Sequence, residues 1–131
     1  MRLLLDTRIL LWAAMGPENG GALPTEAERL ILAPENVLAF SAASIWEVAI
    51  KAALGRPDFR ADPHLLRRGL LDNGYEELAI TSAHAAAVSQ LPHLHRDSFD
   101  RILVVQATAE GCTLLTADAA LAAYPGPIWK V

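Results

Sequence analysis

The chain has 131 residues, 53% of them apolar and 20% charged, with a formal charge of −4; this is the balance of one packed domain over residues 1–131 rather than a disordered chain. A core of that size stands without disulfides, and the lone Cys112 excludes both a disulfide framework and a four-cysteine zinc site. The acidic balance argues against a basic nucleic-acid coat, though not against a nucleic-acid enzyme that recruits cations at an acidic site.

In chain order, Leu3-Leu4-Leu5 reads as a buried strand that ends at Asp6-Thr7. Ile9 to Met15 continues as an apolar helix too short to cross a bilayer. Asp6 and Arg8 interrupt the opening apolar stretch before it reaches signal-peptide length, so a cytoplasmic chain with no membrane partner is expected. Gly16 to Gly21 is a loop, and Thr25 is placed to cap a helix through Ile31. Val37 to Phe40 is a second strand, followed by a helix from Ser41 to Leu54 that Gly55 ends, with Ile45, Val48, Ala49 and Ala52 spaced to face a core. After a loop over Pro57 to Ala61, Pro63 to Leu71 forms a helix with Leu65, Leu66 and Leu70 on one side, stopped by Asn73-Gly74. Leu78-Ala79-Ile80 is a third strand, and Ser82 opens a helix through Leu91 that Pro92 ends. His93 to Ser98 is polar loop, Phe99 to Ala109 a helix capped by Gly111, and Thr113 to Thr116 a fourth strand. Ala117 to Ala123 is a short helix and Ile128 to Val131 a last strand.

Short apolar strands, each followed by a helix, predict an α/β fold: a three-layer α/β/α sandwich around a short, mostly parallel sheet. Ligands of such sheets gather outside the carboxyl ends of the strands. Four acids fall there: Asp6 after the first strand, Glu47 one turn into the helix after the second, Asp100 opening the helix before the fourth, and Asp118 two residues beyond that strand. Each lies in apolar sequence, where an unpaired charge is costly. Converging carboxylates repel one another unless a cation neutralises them, and an all-oxygen set selects Mg²⁺ or Mn²⁺. Such an ion activates water for attack on phosphorus and steadies the departing oxygen. Each acid also has a plainer reading. Ser44-Ile45-Trp46-Glu47 matches a capping box, while Asp97, Asp100 and Asp118 suit the first turn of a helix. Only Asp6, leaving a buried strand, has no such reading from its neighbours.

The segments Leu3-Leu4-Leu5-Asp6-Thr7 with Leu10-Leu11-Trp12, Ser41 to Lys51, Leu54-Gly55, Leu91-Pro92 with His95, Asp97-Ser98-Phe99-Asp100-Arg101 and Thr116-Ala117-Asp118 occur in one order over almost the whole chain. In these the chain resembles the PIN-domain family, and more closely the VapC-type toxins of bacterial toxin–antitoxin pairs. The resemblance implies a metal-dependent endoribonuclease in which Asp6, Glu47, Asp100 and Asp118 are catalytic and Asp6, Asp100 and Asp118 bind Mg²⁺, with Mn²⁺ as a substitute. Thr116, and less directly Thr7, would hold the cluster by hydrogen bonds. It implies also an RNA substrate, a small antitoxin that docks on the toxin, and a homodimer. Arg8 stands where many relatives carry histidine and Ser98 where they often carry proline, so Arg8 near the site would alter phosphate contacts or compete for a carboxylate.

Other features carry less. Arg8, His95, Arg96 and Arg101 are candidates for contact with substrate. His93-Leu94-His95 has no second ligand pair at zinc spacing. Cys112 reads as a small core residue, and Trp12, Trp46 and Trp129 as core or interface rather than base-stacking platforms. Neither a glycine-rich phosphate loop nor a Gly-x-Ser-x-Gly elbow occurs. Two other functions fit an α/β sheet of this kind. A phospho-receiver domain would use Asp6 or Asp100 as acceptor, but Lys51 and Lys130 do not follow strands as it requires. A catalytically silent PIN-like scaffold would bind a partner only, and retention of all four acids speaks against it.

Overall fold

The computed structural model describes residues 1–16, 21–94 and 97–131. Five strands form one sheet: β1 (Arg2–Leu5), β2 (Val37–Ser41), β3 (Glu76–Leu78), β4 (Thr113–Thr116) and β5 (Ile128–Lys130). Their order is β3-β2-β1-β4-β5 and every pairing is parallel. The helices are α1 (Thr7–Met15), α2 (Thr25–Leu32), α3 (Ala42–Ala53), α4 (Pro63–Asp72), α5 (Ser82–Ala87), α6 (Ser98–Glu110) and α7 (Ala119–Ala122), with a 3₁₀ turn over Val88–Gln90.

β1 is the centre, and its three leucines are fully buried, as a strand covered on both faces requires. The pleat divides them. Leu3 and Leu5 join Phe40 and Leu115 in a cluster with Ile9, Leu10, Val48, Leu66 and Leu70. Leu4 joins Ala39 and Leu114 in the opposite cluster with Leu103, Val104, Ala107, Leu121 and Tyr124. Each buried leucine contributes roughly 1.5–3 kcal/mol of transfer free energy, which fixes the register, since a slip by one residue would invert the faces. The expected three-layer α/β/α sandwich is therefore present, and the sheet is wholly parallel among the described residues.

Local departures from the sequence reading have identifiable causes. β3 lies at Glu76–Leu78 rather than 78–80, because it is the sheet's edge and only Leu78 is buried, while Ile80 is exposed. α2 is capped from Pro24 without a side-chain bond, so Thr25 is its first residue and not its cap. Leu65 faces outward, leaving Leu66 and Leu70 as the buried side of α4. The helix opened by Ser82 stops at Ala87 and tightens into the 3₁₀ turn. α6 ends as expected at Gly111, in the left-handed conformation (φ 69°) that glycine adopts without strain.

Candidate functional site

The chain turns over from the left half of the sheet to the right at β1 and β4, the neighbours whose onward connections run to opposite edges. The crevice outside their carboxyl ends is the place where parallel sheets bind ligands. A cavity of about 460 Å³ opens there, and Asp6, Glu47, Asp100 and Asp118 all line it. Asp58 and Asp97 complete six carboxylates on its wall, against the three cations Arg8, Lys51 and Arg56. Thr7, Leu11, Trp12, Phe59 and Ala117 supply the remainder. Trp12 packs so close to the chain at Gly21 that a Cβ there would lie 2.4 Å from its ring.

Asp6 is 5% exposed and is the N-cap of α1, with Oδ1 accepting the Ile9 N–H at 2.8 Å. The sequence shows no such cap because the helix begins two residues earlier than its apolar run. Oδ2 accepts the Thr116 hydroxyl at 2.5 Å, and the same hydroxyl accepts the Asp118 N–H at 3.0 Å. Thr116 thus ties the end of β1 to the turn after β4. Burial pushes the Asp6 carboxyl above the ordinary carboxylate range; the bonds from Thr116 and Ile9 and the Arg8 charge oppose this, and the Asp118 charge adds to it.

Glu47 is 6% exposed. The capping-box reading of Ser44 and Glu47 fails, because Ser41 caps α3 and Glu47 lies in its second turn. Its Oε2 accepts from Lys51 Nζ at 2.8 Å, one turn on, while Oε1 is buried with no partner among the described residues. Thr7, expected to brace a carboxylate, instead donates to Ser44 Oγ at 2.9 Å, clamping the start of α1 to α3 one turn before Glu47.

Asp100 lies in the first turn of α6, where Asp97 is the cap, its Oδ1 accepting from Phe99 N and Asp100 N. Asp118 caps α7 through Ala120 N. The plainer readings of Asp97 and Asp118 are therefore correct, yet both face the cavity as well. Capping and lining coincide because α1 and α6 start at this edge, and their N-terminal dipoles offset part of the gathered negative charge.

Arg8 is exposed on the cavity wall. Arg101 is a correction: it is 7% exposed, and its guanidinium donates to the carbonyls of Pro92 and Val88 and to the Tyr124 hydroxyl. It braces the segment before α6 and is not available to substrate. His95 and Arg96 lie outside the described residues. His84 is buried, with Nε2 on Glu110 and Nδ1 on the Thr81 N–H, so it is a structural residue. Cys112 is buried, and burial raises its thiol pKa, as fits a core residue. Trp46 is not core: it is 61% exposed and meets Phe99 edge-on at 5.1 Å.

Lys51, Asp58 and Gln106 were not expected at the site from the sequence, whereas Arg56, one of several arginines able to meet phosphate, does line the cavity. Lys51 was legible as an i,i+4 partner of Glu47. Asp58 follows the end of α3, in the loop over Pro57 to Ala61, and belongs to no motif that announces a cavity. Gln106 is fully buried; it accepts the Ser41 hydroxyl and donates to Ala79 O, latching α6, and so Asp100, to the carboxyl end of β2.

With this geometry in place, one comparison decides the family: the sequence model of the PIN domain matches residues 3–127. The chain belongs to the PIN domain family. No curated protein sequence matches it. Among solved structures, its fold is similar to a chain in the crystal structure of VapBC2 from Rickettsia felis bound to a DNA fragment from their promoter. That match has a TM-score of 0.70 and 17% identity, covering 100% of this chain and 99% of the other. It is also similar to a chain of VapBC-1 from nontypeable Haemophilus influenzae, with a TM-score of 0.59 and 18% identity over 99% of this chain and 98% of that one. At these identities the likeness is one of fold, and this PIN domain shares its architecture with both along nearly their whole length.

Proposed function

We propose that this PIN domain is a divalent-metal-dependent endoribonuclease, the toxin of a toxin–antitoxin pair. The observation that carries the reading is the convergence of Asp6, Glu47, Asp100 and Asp118, from four separate stretches of chain, on one cavity at the carboxyl ends of β1 and β4.

The donor set fits a hard cation. The acids offer only oxygen, Glu47 Oε1 is buried without a partner among the described residues, and burial raises the Asp6 pKa, so a cation relieves costs already built into the fold. Among the described residues no three His, Cys, Asp or Glu side chains are gathered into a ready-made cage. Mg²⁺ keeps several waters and takes one or two carboxylates directly. Asp6 and Asp100 would hold it most directly, with Asp118 adding a direct or water-mediated contact. When bound, such an ion supplies Lewis-acid activation and screening of the phosphate charge.

The chain's own residues do the rest. Thr116 keeps Asp6 and Asp118 in fixed relation. The Glu47 carboxylate, on the cavity wall, accepts a proton from the attacking water. Arg8 and Arg56 on the wall meet the backbone phosphates of single-stranded RNA. The antitoxin, by obstructing this cavity, holds the enzyme silent, and the apolar row on α3 (Trp46, Ile50 and Leu54, all exposed) supports a homodimer.

Purified protein incubated with single-stranded RNA tests this. Cleavage is expected in Mg²⁺ or Mn²⁺, is lost in excess EDTA, and falls by about 100-fold or more in Asp6→Asn and Asp100→Asn, beyond the loss typical of an outer-shell partner. Cleavage that survives chelator or Asp6→Asn overturns the metal assignment. A folded wild-type chain that cuts no RNA in either ion favours the silent scaffold.

A further inference from the structure

Lys51 belongs to α3 one turn after Glu47, and its ammonium meets Glu47 Oε2 at 2.8 Å. The lysine side chain is about half exposed and borders both the acid cavity and an adjoining hollow of about 350 Å³ lined also by Ile50 and Phe99. Glu47 is almost wholly buried, and five other acids share its cavity wall: Asp6, Asp58, Asp97, Asp100 and Asp118. A carboxylate in that company is driven outward by repulsion, and its terminal torsion is broad and nearly two-fold. One charged donor on one oxygen resolves both problems: it offsets the repulsion and sets the carboxylate plane. The second oxygen, Oε1, is buried with no partner among the described residues.

We infer that Lys51 is a positioning residue that acts only through Glu47, tethering Oε2 so that the carboxylate keeps its place on the cavity wall. This rests on the nuclease reading above, in which the Glu47 carboxylate takes the proton of the attacking water. A lysine at this rim could instead contact a substrate phosphate, and the two roles separate kinetically. Loss of a positioning residue lowers kcat, whereas loss of a phosphate contact that binds substrate and transition state alike raises KM.

The test uses Lys51→Met, Glu47→Gln and the double variant, with melting curves confirming that each is folded. Lys51→Met is expected to lower kcat for RNA cleavage by about 10–100-fold, the range for partners that orient a catalytic group. KM and the Kd for Mn²⁺ should stay within about 3-fold of wild type, since neither substrate nor ion rests on Lys51. Adding Lys51→Met to Glu47→Gln should cost nothing more, because the tether would have nothing left to aim. A crystal structure of Lys51→Met should show the Glu47 carboxylate turned away from the cavity. A raised KM at unchanged kcat, a further loss on the Glu47→Gln background, or a Glu47 unmoved in the Lys51→Met crystal would each overturn the inference. If the wild type cuts no RNA, the nuclease reading falls, while the crystal structure still decides whether the tether exists.

Discussion

Asp6 meets two demands with one carboxylate. It caps α1 and anchors Thr116, yet it is buried beside Asp118, and burial raises its pKa. An acid whose pKa is raised on folding keeps its proton to higher pH in the native state than in the unfolded chain. Its contribution to stability is therefore most favourable at acid pH and declines as pH climbs from the ordinary value of 3.8 through the raised one. Asparagine at this position keeps the cap on Ile9, since Asn and Asp cap equally well. Its amide can donate to Thr116, whose hydroxyl oxygen accepts a second bond beside that from Asp118 N. In EDTA at pH 7, Asp6→Asn is expected to raise the urea midpoint above wild type, with the difference fading as pH falls below the carboxylate range. Equal midpoints at pH 7 would mean that burying this charge carries no cost. Because the same substitution should abolish cleavage, a more stable and inactive chain separates the residue's chemical task from its structural one.

At the level of elements, what holds the acids in place is mostly non-acidic. The Ser41–Gln106 hydrogen bond and the Gln106–Ala79 bond fasten α6 to the ends of β2 and β3, and Asp100 rides on α6. Gln106→Leu keeps the bulk but leaves the Ser41 hydroxyl and the Ala79 carbonyl without this partner. Unfolding in urea should show a loss of about 2 kcal/mol or more, with the Ser41→Ala change costing less on the Leu background than alone. Additive losses would show that the latch is not a unit. None of this was legible beforehand: a glutamine among Leu103, Val104, Val105 and Ala107 names no partner until the fold brings residues 41, 79 and 106 together. Elements with internal signals were legible to within a residue or two, as with β4 at Thr113–Thr116 and the Gly111 end of α6. β3 was misplaced because edge strands are polar, and Glu76-Glu77 carries no apolar run. The helix from Ser82 was drawn too long because its last turn tightens into a 3₁₀ turn over Val88–Gln90, whose Val88 carbonyl accepts from both Leu91 N and the distant Arg101.

Across the whole molecule, the strand order is the step that sequence alone does not provide. Strands, helices and the four acids could be named from local pattern, but the order β3-β2-β1-β4-β5 puts β4 against β1 and so brings Asp118 and Thr116 to Asp6. That pairing joins residues more than a hundred positions apart. The order also sets α3 between two surroundings. Glu47 and Val48 face inward, while Trp46, Ile50 and Leu54 recur every fourth residue on the outer side, 61%, 42% and 62% exposed. Large apolar side chains in such a row are unusual on an isolated surface and suit a self-complementary contact in which a second α3 covers the first. In the proposed dimer the aromatic anchor would be Trp46, which meets Phe99 edge-on. Truncating a central tryptophan commonly removes at least about 2 kcal/mol, and a buried charge in its place removes more. Trp46→Glu should therefore weaken self-association by about 30-fold or more. In sedimentation equilibrium the wild type is expected to run as a dimer and Trp46→Glu as a monomer at equal concentration, with unchanged far-ultraviolet circular dichroism. A Trp46→Glu chain that still sediments as a dimer would move the interface off α3. A wild type that stays monomeric at high concentration would leave this row without a second copy to cover it.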